Sequence, residues 1–334
     1  MFYTLQFFNM TSTVPYYDIV LFHKGCPDGS AAAWVYWRYT KKRHLLDKVK
    51  FIPMEAGKYP VDLNVEQMDI LMMDVCPKRN EIDTIAAVAR SLTILDHHKS
   101  GERDVQDLKY DNVTIVFDMN RSGCQIAWDF FYPNIIEHDL DEFPPLIEPD
   151  PVYRPWFIDV IGDRDLWKWE VPNSKELGCY LFNIGYYYDW EKMETLMDFT
   201  EEQKKVAIEV GKTLLLVEER QVDFAVKNAI STIATIDGVD YRVKLTGCSH
   251  TIASEVGNKL SSNDDKKEDC DFAAMWMYNP EGDEWWISCR ASKADIDLSV
   301  ISRKLGGGGH PKASGFTIKN DQGALQKFFR KIEV

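Results

Sequence analysis

The chain has 334 residues, 45% of them hydrophobic and 13% aromatic, and carries a formal net charge of −14. The length exceeds one ordinary core and sets two domains as the expectation, while the apolar content excludes a disordered chain. The acidic balance excludes a broad surface gripping long nucleic acid through its backbone, so a polyanion would be met only at a local pocket or cation site.

The seven cysteines (Cys26, Cys76, Cys124, Cys179, Cys248, Cys270 and Cys289) are scattered, and none forms a CxxC pair. They read as reduced thiols rather than a disulfide framework or a zinc knuckle. The opening stretch MFYTLQFFNM is apolar but short, without a basic flank or a cleavage site. No segment has the length needed to span a bilayer, which predicts a soluble, cytoplasmic protein.

Strand and helix patterns alternate from Asp18 onward. Asp18–Phe22 is a continuous apolar strand, and Ser30–Tyr39 a helix rich in Ala and Trp. Asp69–Met73 is the next strand, Glu81–Arg90 a helix, Ser91–Leu95 and Val113–Phe117 strands, and Gly123–Phe131 a helix. Such alternation predicts an α/β domain with a mainly parallel, doubly wound sheet over residues 15–198. Residues 134–155, rich in Pro and acids, read as a surface connection. Thr200–Ala229 has the helical period, with Val206, Val210, Leu214, Val217, Val222 and Phe224 apolar, and gives a long helical linker over 199–232. Strand-like Val239–Leu245, Phe272–Tyr278 and Trp285–Cys289, then a helix from Ser299, predict a smaller α+β domain over 233–334, with 263–268 a polar loop tip.

Polar residues recur where the apolar strands end. His23 and Asp28 follow the first strand, Asp74 the second, and Asp96-His97-His98 the third, while Asp163 follows an apolar run later. Strand ends in a doubly wound sheet converge on one crevice, so these groups are expected to meet. A mixed imidazole and carboxylate set suits Mn²⁺, Mg²⁺ or Zn²⁺, and bridging carboxylates suit two ions. Any one strand-terminal Asp is an ordinary cap or turn former; the joint occurrence points to chemistry.

A second constellation is Gly306–Gly309, His310, Lys312, Ser314 and Gly315. Consecutive glycines let backbone amides, those of Gly308 and Gly309 included, approach an anion; His310 and Lys312 add donors, and Arg290 offers a two-pronged phosphate contact. Ser122 and Gly123 sit at a helix start, where amides either meet phosphate or are simply capped.

The segments His23–Trp34, Asp74, Asp96–Ser100, Asp163–Trp167 and Gly306–Phe316, in that order, resemble the DHH phosphoesterase superfamily and its associated C-terminal substrate domain. That resemblance implies hydrolysis of phosphate esters with two divalent ions, Mn²⁺ foremost. It implies that His23, Asp28 and Asp74 hold one ion, and that Asp74 bridges to a second completed by His97 and Asp163. Asp96 would orient its neighbours and His98 would contact phosphate or assist as an acid, with Asp165 and Trp167 supporting the Asp163 loop. Many members carry another acid beside the first motif, where this chain has Cys26 and Ser30; Cys26 either ligates or shapes the loop. The substrate class implied is a short oligonucleotide or small nucleotide phosphodiester, with no stable long nucleic acid, no membrane, and a monomer or homodimer. Polyphosphate or pyrophosphate hydrolysis is the alternative, and a silent nucleotide-binding module the non-enzymatic one.

Overall fold

The computed structural model describes residues 16–55, 59–60, 62–132, 153–262 and 270–331. Apart from 153–155, the expected 134–155 connection lies outside the described residues, as do the first ten residues and the 263–268 loop tip. Among the described residues no helix is long and apolar enough to cross a membrane.

The first half builds β1 (Ile19–His23), α1 (Pro27–Lys42), β2 (Lys50–Met54), β3 (Asp69–Met73), α2 (Arg79–Val88), β4 (Ser91–Asp96), α3 (Lys99–Val105), β5 (Val113–Phe117) and α4 (Gly123–Phe131). All five strands are parallel, in the order β2-β1-β3-β4-β5. The three central strands are apolar on both sides because helices cover both faces. On one face α1 and α4 pack through Trp34 and Trp128, whose rings stack 6.3 Å apart, joined by Phe157 of α5 (Trp156–Asp165). On the other face Ile82 and Ile85 of α2 and Val105 of α3 close a second core layer. Strand β2 was not evident in the sequence because Pro53 interrupts a short run. It lies at the sheet edge, where a residue without an N–H is tolerated.

Helix α6 (Ser174–Asn183) and the short α7 (Trp190–Glu194) complete this half, and α8 (Glu201–Lys227) leaves it as one unbroken helix. A capping box starts α8: the Gln203 amide donates to Thr200 Oγ1 at 3.2 Å and the Thr200 amide to Gln203 Oε1 at 2.8 Å.

The second half runs β6 (Ile230–Ile236), β7 (Val239–Gly247), α9 (Ala253–Ser261), β8 (Phe272–Asn279), β9 (Glu284–Arg290), α10 (Leu298–Lys304), β10 (Gly308–Gly309), β11 (Ala313–Lys319), α11 (Ala324–Phe328) and β12 (Phe329–Lys331). It forms a seven-stranded sheet, β10-β11-β9-β8-β7-β6-β12, in which only the β7–β8 pair is parallel. The architecture is therefore the expected one: a doubly wound parallel domain, a long helical linker, and an α+β domain.

Candidate metal centre

The strand order places the crevice where neighbouring strands send their connections to opposite faces, between β1 and β3. His23 ends β1, Asp74 follows β3, and Asp96 ends β4, so all three emerge at that crevice. Asp74 holds a left-handed backbone, φ 58°, a conformation that costs an Asp about 1 kcal/mol and turns its carboxylate inward. Its Oδ2 lies 3.3 Å from His23 Nδ1 and its Oδ1 3.0 Å from His97 Nε2. A Cβ on Gly123 would fall 2.5 Å from the Asp74 Cβ, so only glycine lets the start of α4 close on this residue.

Asp28, in the first turn of α1, is buried, and both its oxygens accept amide protons at the start of α4: Gly123 N–H at 2.6 Å and Cys124 N–H at 2.9 Å. The helix start that carries Ser122 is thus occupied by a carboxylate of the chain itself. Ser122 is buried as its N-cap in a capping box with Gln125, away from any open anion site. Asp28 Oδ2 also stands 3.6 Å from His97 Nε2.

His97 is wholly buried, and the third carboxylate around its Nε2 is Asp165, at 3.5 Å, rather than Asp163. Asp163 instead accepts from the Glu170 amide at 2.8 Å and holds the loop after α5. Two positions apart on a helix, the side chains point about 160° apart, and it is Asp165 that turns to His97 Nε2. The tripeptide Asp-Arg-Asp is plain in the sequence, but the helical phase that decides between its two acids is not.

The donor atoms of Asp28, Asp74 and His97 lie within 4.8 Å of one another, and so do those of His23, Cys26 and Asp74. Asp74 is common to both sets. Cys26 therefore belongs to the cluster by distance, on the side of His23. His98 turns its Nδ1 to Asp96 Oδ1 at 2.8 Å, which fixes the ring while its face stacks on His310, 4.7 Å away. His310 comes from the second domain and also lies 4.9 Å from the His97 ring.

The electrostatics reflect acids crowded together, Asp28 and Asp74 buried and Asp165 beside them with more exposure. Burial, with Asp74 and Asp165 nearby, pushes the Asp28 carboxyl up. Burial raises Asp165 also, with Asp74 adding to it against the pull of His97. Asp74 is the exception: burial opposes its charge, yet hydrogen bonds from His23 and His97 hold it well below the usual range. Burial penalises a charged His97, but Asp74, Asp165 and Asp28 outweigh it and raise its pKa. Burial, with His98 and His97 beside it, drives His310 down to about 2, so that imidazole is neutral. Buried like charges of this kind call for compensating cations. The Asp96 Oδ2 and His97 Nδ1 atoms are buried without a hydrogen-bond partner. The mixed nitrogen, oxygen and sulfur donors fit divalent ions, with Asp74 as the shared carboxylate.

The second domain forms the opposite wall. Gly308 and Gly309 are a short strand paired with β11, not a free loop, and the Gly309 amide donates to Ser100 Oγ of α3 at 3.2 Å. A Cβ on Gly309 would fall 2.6 Å from the Ala313 carbonyl oxygen, so the glycine serves close backbone packing against β11 as well. Lys312 is turned away: its Nζ donates to the carbonyls of Lys293 and Ile296. Arg290 stays on the wall, its Nη2 donating to Ser254 Oγ at 2.7 Å. Asp118 is used by Arg121, at 2.8 Å.

The fold and this wall-to-wall cluster define a two-domain α/β protein whose crevice gathers the donors of a divalent-cation site. Residues 243–333 match the model of the DHHA1 domain. It is 28% identical over 325 residues, 95% of this chain and 70% of the relative, to the uncharacterized protein R106 of Acanthamoeba polyphaga mimivirus. Among solved structures it is similar to RecJ of Thermus thermophilus in complex with Mn²⁺, with TM-score 0.45 and 12% identity, covering 90% of this chain and 49% of that one. It is also similar to the pGpG-specific phosphodiesterase PggH of Vibrio cholerae, with TM-score 0.39 and 13% identity, covering 91% and 94%.

Proposed function

We propose that the chain is a divalent-metal-dependent phosphoesterase that hydrolyses phosphodiester bonds in short oligonucleotides or small nucleotides. The observation that carries this reading is the set of three carboxylates, buried Asp28 and Asp74 and the more exposed Asp165, gathered around the buried His97 and faced by His310 across the domain boundary. Asp28, Asp74 and His97, with Asp165 beside them, would hold one divalent ion, and His23, Cys26 and Asp74 a second, with Mn²⁺ the proposed metal. Bound there, two such ions would lower the pKa of a water and offset charge on the phosphorus oxygens.

The chain's own groups do the rest. Asp96 fixes the His98 ring through Nδ1, leaving the other nitrogen for the reacting phosphate or the departing oxygen. His310 and Arg290 meet a second phosphate on the facing wall, which favours substrates with a phosphate one linkage from the scissile bond. A two-walled crevice in a protein of net charge −14 suits short chains better than long strands.

The test is a panel containing a 5′-phosphorylated dinucleotide, longer single strands, a cyclic dinucleotide and polyphosphate, each assayed with Mn²⁺, Mg²⁺ and Zn²⁺. Mononucleotide release from the dinucleotide, lost in Asp74→Ala, is the expected result. Phosphate release from polyphosphate alone would move the substrate to phosphoanhydrides. Tight nucleotide binding with no cleavage under any metal would make the chain a silent binding module.

A further inference from the structure

The consecutive residues Asp163, Arg164 and Asp165 have three different destinations. Asp163 holds the following loop and Asp165 faces His97. Arg164 crosses to the second domain, where its Nη2 donates to Glu255 Oε1 of α9 at 3.0 Å. Both side chains are largely shielded, 23% and 22% exposed. Glu218 of α8 lies in the field of the same guanidinium, so α5, the linker and α9 meet at Arg164.

The residue before Glu255 is Ser254, whose Oγ accepts from Arg290 Nη2 at 2.7 Å. Arg290 Nη1 donates to the Cys289 carbonyl at 2.8 Å. One turn along α9, a Cβ on Gly257 would fall 2.6 Å from Arg290 Cγ, so the arginine stem lies flat against the helix where glycine leaves room. Arg290 is thereby fixed to α9, and α9 to α5. The metal centre is one residue from the contact on one side, and the phosphate grip one residue from it on the other.

We propose that the Arg164–Glu255 pair is a positioning clasp that sets the spacing between the carboxylates of the metal centre and Arg290. The proposal rests on the phosphoesterase reading above. The clasp is not the only tie across the boundary. Arg303 of α10 holds both Asp104 oxygens, at 2.9 and 3.0 Å, and the Ser100 carbonyl at 3.0 Å. Cutting the clasp therefore leaves the domains attached on the glycine-strand side and shifts Arg290 rather than freeing it. A shift of about 1 Å in a positioned group changes rates by up to about a hundredfold.

Glu255→Gln removes the charge and keeps the shape. Two substrates separate positioning from general damage: a 5′-phosphorylated dinucleotide, whose terminal phosphate needs Arg290, and bis-p-nitrophenyl phosphate, which has none. With Mn²⁺ the expected result is a KM for the dinucleotide raised about tenfold, with turnover of the nitrophenyl diester within about twofold of wild type. Arg164→Glu combined with Glu255→Arg should recover most of the loss. Equal loss on both substrates without recovery in the swapped pair, or no change on either, would overturn the clasp. If wild type cleaves neither substrate, the phosphoesterase reading fails, and the clasp is then read from calorimetric binding of inorganic phosphate. Binding several-fold weaker in Glu255→Gln supports it, and equal affinity overturns it.

Discussion

The pair Asp163 and Asp165 gives the most direct test of the centre, because two matched substitutions in one tripeptide should behave oppositely. Asp165 Oδ2 lies 3.5 Å from His97 Nε2, at the edge of the buried pair Asp28 and Asp74. Unit charges about 4 Å apart interact by about 4 kcal/mol at an effective dielectric near 20, so its charge is a substantial part of what attracts a cation. Asp165→Asn should therefore weaken Mn²⁺ binding by about a hundredfold or more, beyond the roughly 10–100-fold typical of residues that only support a ligand. Asp163→Asn removes no charge from the cluster. It turns the bond that Asp163 Oδ1 accepts from the Glu170 amide from a charge-assisted into a neutral one, a loss of about 1 kcal/mol. Its effect should be a lower melting temperature with Mn²⁺ affinity nearly unchanged. Calorimetric titration of Mn²⁺ and thermal melting of the metal-free proteins separate the two outcomes. The reasoning is refuted if Asp163→Asn abolishes binding while Asp165→Asn binds like wild type.

Two further predictions follow from named groups. Cys26 has its sulfur among the donors of His23 and Asp74, so Cys26→Asp should shift selectivity from Zn²⁺ toward Mn²⁺ by about tenfold or more, read as the ratio of the two dissociation constants; an unchanged ratio would leave Cys26 a loop former only. Asp297 caps α10, accepting from the Ser299 amide at 3.0 Å and the Val300 amide at 3.3 Å. Burial, the largest single influence, opposes its charge, but these bonds and the Ser299 hydroxyl together outweigh it and hold its carboxyl below the usual range. A depressed folded pKa means the stabilisation is present above the unfolded value near 3.9 and is lost as pH falls through the folded one. Asp297→Ala should cost about 1 kcal/mol at pH 7 in urea unfolding, and the gap to wild type should close at low pH; a gap independent of pH would exclude the cap.

The layered architecture was legible because each central strand carries a continuous apolar run and each is followed by a helical period. His23, Asp74 and Asp96 were legible for the same reason: a polar residue ending a buried strand must emerge at the sheet's edge. Asp165 was not, because the apolar run before it is the helix α5, and period alone does not give the phase of its last turn against a distant sheet. Lys312 was read as a phosphate donor from its place beside the glycines, yet it is spent on the Lys293 and Ile296 carbonyls.

Both anion cradles expected from the sequence, the start of α4 and the glycine run, are real donor sites with another acceptor already seated. Asp28 takes the amides of Gly123 and Cys124 across 95 and 96 residues, and Ser100 takes that of Gly309 across 209. A motif reports which groups can bind an anion, whereas competition among distant parts of the same chain decides which remain available. The consequence here is physical. With those amides engaged internally, the phosphate grip proposed above would fall to side chains, Arg290 and His310, held on the second domain and set against the first by ion pairs. Side chains positioned across a boundary are adjustable in a way that a rigid backbone nest is not, so substrate length should be governed by the distance between the two walls. That distance is what the Arg164–Glu255 contact holds.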